Sequence, residues 1–264
     1  MIDKTKIKHL ESERLNLPSY LERVNYNGTI KLNFETIKNL MLCQLYTVPF
    51  ENLDTLKGKA LSMLPDDIVD KIINKHRGGG CFELSGLFAL VLQEIGVPYI
   101  FVAARSMVRP GKQPNTHIAI IATIENENYL IDLGFGSHGI REPLKLSSFN
   151  SEVQQGVDRF IFQKIDENEY ILKALVDNEW ANQYSFEVHH QEWIDFLPGI
   201  YYNTNSTNSF FIQKPIIVIL TKTGRKILNG NTLKIIENKK VETLVIEESD
   251  FEDVLKTHFN LQNF

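Results

Sequence analysis

Cys81 stands directly behind three glycines, in Arg77-Gly78-Gly79-Gly80-Cys81-Phe82-Glu83-Leu84, and is one of 2 cysteines in 264 residues. Leu84, Leu87, Phe88, Val91, Leu92 and Ile95 follow at helical spacing, and Gly96 with Pro98 gives a stop signal. The spacing predicts a helix that opens at Cys81. A thiol there faces backbone N–H groups without partners and the positive end of the helix dipole. Those surroundings favour the thiolate, the form that attacks carbon. Glycines in a row let the backbone take conformations that other residues resist. The pattern points to a nucleophile.

A cysteine nucleophile needs a base, and the base needs a group to orient it. His117 opens the alternating run His117-Ile118-Ala119-Ile120-Ile121, and Asp132 is embedded in Tyr129-Leu130-Ile131-Asp132-Leu133. A buried carboxylate is costly without a partner. A turn at 125–128 makes the two runs hairpin neighbours, so Asp132 can hold His117 across the ladder while His117 faces Cys81. The result is a Cys-His-Asp triad in chain order.

Each member also has an ordinary structural reading. Free cysteine buries readily as a small core residue, and Cys43, on an apolar helix, is an example. His138, His189 and His190 read as structural, and Asp132 can simply bond a turn backbone. The three signals together point to one reaction class. Gly134-Phe135-Gly136-Ser137-His138-Gly139 matches a dinucleotide fingerprint, but Ile140-Arg141-Glu142-Pro143 opens no helix and no βαβ unit surrounds it. These glycines are read instead as letting a substrate approach the backbone beside Asp132.

The elements that must position these residues change character along the chain. The first hundred residues are helical: Asn33 caps one helix, and a second runs from Pro65 to Lys75-His76-Arg77. After Pro98 the period becomes strand-like, over 99–108, 117–124 and 129–133, with a hairpin of 159–164 and 170–175. This middle third reads as a barrel or sandwich of antiparallel strands. The last third, from about Gly199, mixes strands at 214–221, 226–228, 232–236 and 241–246 with a final helix. Ser249 and Glu252 are read as its capping box.

Net charge of -5 and the lack of a basic run argue against a nucleic-acid partner. The charged stretch 1–6 shows no secretory signal, and the longest aliphatic run, at 216–220, is too short to span a bilayer, so no membrane association is expected. Two cysteines make neither a disulfide framework nor a cysteine-rich zinc site, and no metal is expected. A reducing cytoplasm is the expected compartment.

The chain resembles the arylamine N-acetyltransferases. The family's Arg-Gly-Gly-x-Cys-x-Glu motif stands as Arg77–Glu83, its Val-Pro-Phe-Glu-Asn-Leu element as Val48-Pro49-Phe50-Glu51-Asn52-Leu53, its Thr-His pair as Thr116-His117, and its Asp-x-Gly-Phe-Gly strand as Asp132-Leu133-Gly134-Phe135-Gly136. The resemblance implies an α+β fold with a cysteine-protease-like catalytic core. Its three regions are an N-terminal helical bundle (1–96), a central antiparallel β-barrel (97–198) and a C-terminal α/β lid (199–264). It implies ping-pong transfer from acetyl-CoA through Cys81 to an arylamine or hydrazine, with His117 carrying protons and Asp132 orienting the ring. Phe50 and Thr116 are then expected at the acceptor. Tyr202, Asn208, Gly134, Phe135 and Gly136 are expected at the CoA side. Ser85 stands where the family commonly has Asn, and 204–207 lacks the family's Ser-Thr followed by Pro. A Cys-His-Asp amide synthase, a thiol hydrolase and a non-catalytic binding module are the competing readings.

Overall fold

The computed structural model describes residues 10–136, 138–262 and 264; the charged stretch 1–6 and Ser137 of the fingerprint-like run lie outside them. Helix α1 (Leu17–Arg23) is capped by Asn16, and α2 (Phe34–Thr47) by Asn33, whose side chain accepts the Thr36 N–H at 2.9 Å. A short strand β1 (Phe50–Glu51) and a single turn α3 (Leu53–Leu56) lead to α4 (Pro65–Val69), which continues as a π-turn over Asp70–Asn74. The expected helix through Arg77 stops early. His76 takes a left-handed φ of 52°, which ends the helix and frees Arg77 to turn inward.

Helix α5 (Cys81–Glu94) is buried on every side from Cys81 to Leu92, as expected of a helix through the middle of a core. Each large apolar side chain sealed in this way contributes about 1.5–3 kcal/mol. The helix ends in a Schellman motif, with the Val97 N–H on the Leu92 carbonyl at 2.8 Å and the Gly96 N–H on that of Gln93 at 3.0 Å.

The middle third forms one antiparallel sheet. Its strands are β2 (Tyr99–Ser106), β3 (Asn115–Ile124), β4 (Glu127–Ile131), β5 (Leu144–Lys145), β6 (Glu152–Gln155), β7 (Asp158–Lys164), β8 (Glu169–Val176) and β9 (Glu179–Glu187). Their spatial order is β5-β4-β3-β2-β9-β8-β7-β6. The β3–β4 connection is shorter than the sequence reading had it. Glu125 and Asn126 alone, both at positive φ, make the turn.

The expected closed barrel is an open, curled sheet, because β5 and β6 do not pair with each other. Side chains join its ends instead. Gln155 accepts the Arg141 N–H at 2.8 Å and donates to the Glu142 carbonyl at 2.9 Å. Sequence reading missed β9, which joins the two halves of this sheet; a register shift beside Gln183 breaks its alternation.

Helix α6 (Leu197–Asn205) leads into a second sheet of β10 (Ile216–Thr221), β11 (Gly224–Asn229), β12 (Thr232–Glu237) and β13 (Lys240–Val245). Strand β1 pairs with β10 and so ties the first third of the chain to the last. Helix α7 (Phe251–Phe259) packs Val254, Leu255 and Phe259 on this sheet. The expected capping box is absent: α7 starts behind a 3-10 turn over Glu248–Asp250, and the Ser249 hydroxyl donates to Asp250 instead. No helix of the described residues is long and apolar enough to cross a membrane.

Candidate active site

The loop that presents Cys81 is held by the segment from Val48 to Leu53. The Gly79 N–H reaches the Pro49 carbonyl at 3.2 Å, and the Glu51 N–H reaches the Gly79 carbonyl at 3.0 Å. None of Gly78, Gly79 and Gly80 has a positive φ. The need for glycine is close approach: a Cβ on Gly78 would lie 2.2 Å from the Pro49 carbonyl oxygen. Glu83 then accepts the Gly80 N–H at 2.9 Å and caps the helix that starts at Cys81.

A buried charge network locks this arrangement. Arg77 sets Nη2 on Glu51 at 2.6 Å and on Asp54 at 3.3 Å. Lys71 bridges Asp54 and Glu83, each at 2.8 Å. Burial pushes the Glu83 carboxyl up, against the pull of Lys71 and the Gly80 N–H. Burial works against the Lys71 charge too, yet Glu83, Glu51 and Asp54 hold it above the usual lysine range.

Strand register explains how His117 meets Asp132. Ile120 pairs with Ile131, so one further step would set Asp132 opposite Ala119, on the face shared with His117. The ladder ends at Ile131, which frees Asp132 to lean diagonally along that face. His117 Nε2 lies 2.8 Å from Asp132 Oδ2, with both side chains buried. The other carboxylate oxygen accepts the Gly134 N–H at 2.9 Å and the Phe135 N–H at 3.1 Å.

With Nε2 committed to Asp132, Nδ1 is the ring nitrogen left to interact with Cys81. Burial disfavours a charged ring, but Asp132 and the facing Cys81 outweigh it and push His117 up to about 10. Phe135 and Tyr184 pack on the imidazole at 5.1 and 5.2 Å between centroids. A cysteine, a histidine held as its cation and a carboxylate thus converge at one helix N-terminus. That arrangement can form and break a covalent acyl bond.

Residues 33–263 match the family model described as N-acetyltransferase. Human arylamine N-acetyltransferase 1 is 30% identical, over 94% of both chains. The chain belongs to the arylamine N-acetyltransferase family. It is therefore an acyltransferase. Among solved structures, the arylamine N-acetyltransferase of Nocardia farcinica matches at a TM-score of 0.90 and 25% identity, covering 98% of this chain and 93% of that one. The Mycobacterium marinum arylamine N-acetyltransferase in complex with CoA matches at 0.88 and 26% identity, covering 93% of each chain.

The remaining residues expected from this family are distributed unevenly around Cys81. Thr116 is adjacent through its backbone: its carbonyl oxygen lies 3.8 Å from Cys81 Sγ. Phe50 borders the triad, sharing with Asp132 and Phe135 a cavity of about 20 Å³, room for a water but not for an aromatic ring. Gly136 lines the same cavity.

The space a Gly134 side chain would fill is occupied by the backbone of Cys81, so this glycine is a packing contact. Tyr202 is half-buried on α6, and Asn208 is exposed.

Three features of the site escaped sequence reading. Asn203 on α6 donates to the Thr116 carbonyl at 3.2 Å, beside the triad. Tyr184, on the missed strand β9, buries a hydroxyl without a well-formed hydrogen bond; burial first, and Asp132 second, hold its proton on. A cleft of about 690 Å³, lined by Asn115 but by no member of the triad, carries Arg105, Arg109 and Lys112 beside Glu169 and Glu187. These cations are spread over strand and loop, with no run in the sequence to mark them. Ser85, where the family commonly has Asn, is buried with its hydroxyl unpaired among the described residues. Among those residues no group of three or more His, Cys, Asp and Glu is arranged to hold a metal ion.

Proposed function

We propose that this enzyme transfers an acetyl group from acetyl-CoA to an arylamine or arylhydrazine by a ping-pong relay through Cys81. The observation that carries the reading is His117, bonded to Asp132 on one ring nitrogen and facing Cys81 with the other. In the first half, Cys81 Sγ attacks the acetyl carbonyl carbon. The new C–S bond forms as the bond to CoA breaks, and His117 hands its proton to the departing thiolate. In the second half, the amine nitrogen attacks the acetyl-Cys81 carbon, His117 takes the proton from that nitrogen, and the Cys81 thiolate leaves. Asp132 positions the ring and offsets its charge throughout.

The cleft beside Asn115, where Arg105, Arg109 and Lys112 outnumber Glu169 and Glu187, suits the phosphates of CoA, and the CoA complex of the Mycobacterium marinum relative supports that donor. Tyr202 and Asn208 stay on the proposed donor side, and Phe50 and Thr116 on the acceptor side. We keep the division into 1–96, 97–198 and 199–264, the cysteine-protease-like core and a cytoplasmic location as parts of the same proposal. Initial rates measured against acetyl-CoA at several fixed arylamine concentrations test the order of events. A ping-pong relay gives parallel double-reciprocal lines, and intersecting lines contradict it.

A further inference from the structure

The second sheet ends at β13, and all six of its residues are exposed, with Val241 at 58% and Val245 at 69%. Glu237 and Lys240 close a two-residue turn in which Asn238 and Lys239 both have positive φ. In such a hairpin the closing pair is hydrogen-bonded, so Lys240, Glu242 and Leu244 direct their backbone groups toward β12. The Ile246 N–H keeps that alternation, reaching the Asn231 carbonyl at 2.7 Å. Val241, Thr243 and Val245 therefore direct their N–H and C=O groups outward, at an edge with no strand beside it among the described residues.

We infer that this edge pairs with the same edge of a second copy of the chain, antiparallel, about a twofold axis at Thr243. In that register Thr243 faces Thr243 and Val241 faces Val245, every outward group meeting an outward group. Lys239, in the turn of one copy, comes alongside Glu247 of the other, where the backbone is still extended. Neither Lys239 nor Glu247 has an ion-pair partner among the described residues. The edge thus reads basic, apolar, polar, apolar, acidic, which is complementary to its own reverse. A one-residue slip sets outward groups against inward ones and loses the hydrogen bonds. A two-residue slip sets Lys239 against Val245 or Ser249, or Val241 against Glu247. One register alone satisfies backbone, apolar and charged groups together.

Light scattering and sedimentation of the full chain test this directly. The mass is expected to rise toward that of a dimer as concentration increases. Lys239→Glu and Glu247→Lys, each placing two like-charge pairs at the seam, should each weaken the dimer about tenfold, and the double variant should restore it. Opposed hydrogen-bonded residues have Cα atoms about 5.5 Å apart, within disulfide range, so Thr243→Cys should give a covalent dimer on mild oxidation. Glu242→Cys, whose side chain faces Leu244 of the second copy, should not. A chain that stays monomeric at every concentration with no Thr243→Cys dimer overturns the inference. So does a dimer indifferent to both charge reversals.

Discussion

Gly134 rests directly on Cys81: a Cβ at Gly134 would stand 2.4 Å from Cys81 Cα and 2.7 Å from its Cβ. The same Gly134 donates its N–H to Asp132. One tight turn therefore orients the carboxylate and sets the spacing between the helix that opens at Cys81 and the strands that carry His117 and Asp132. Gly134→Ala must push these elements apart by about an ångström, a displacement that costs on the order of a hundredfold in rate. Steady-state kcat/KM of the purified variant checks this, and an undiminished value contradicts it.

Asp132 supplies the charge that keeps His117 protonated and the acceptor that fixes its ring. An amide at this position keeps the shape and removes the charge. Asp132→Asn is expected to lower turnover by about three to four orders of magnitude while leaving the fold intact. Circular dichroism alongside the kinetics separates that outcome from unfolding.

The same pairing carries a pH signature. His117 rises from an ordinary value of 6.5 to about 10 on folding, so the folded state holds the proton more tightly. The stability this contributes is full below about 6.5 and fades as pH climbs toward about 10. Ring NMR shifts should report an imidazolium at His117 through neutral pH, and in Asp132→Asn the transition should move down. A His117 ring found neutral at pH 7 refutes this electrostatic picture.

Arg77 is buried between Glu51 and Asp54, just ahead of the glycines that lead to Cys81. Removing its charge takes the close cationic partner from buried Glu51, leaving Lys71 at 3.9 Å, and costs about 3 kcal/mol. Arg77→Ala is expected to melt well below the parent in a thermal or urea titration. Arg77→Lys should recover only part of the loss, because a point charge cannot serve both acids with a planar fork.

The triad was legible because each member sits beside a strong local signal: glycines before Cys81, alternation after His117, a lone acid in an apolar strand at Asp132. Chain order and hairpin geometry did the rest. The sheet that carries the histidine was less legible. Its β9 strand is bulged at Gln183, so the period that marks a strand is lost, and Tyr184 was lost with it. Curling without closure depends on Gln155, Arg141 and Glu142, whose partners lie 13 or 14 residues away and leave no pattern in sequence. Arg77 was misread for a related reason. It was read as the last residue of the helix from Pro65, whereas it lies beyond that helix and its acids come from β1 and α3.

The central claim is that Cys81 carries the acetyl group. Intact-mass spectrometry of the reduced protein mixed with acetyl-CoA tests it most directly. The account predicts a single acetyl adduct, mapped to Cys81, absent from Cys81→Ala, retained in Cys43→Ala and discharged by an arylamine. A protein that turns over arylamine yet shows no adduct at Cys81, or carries it elsewhere, would contradict the account.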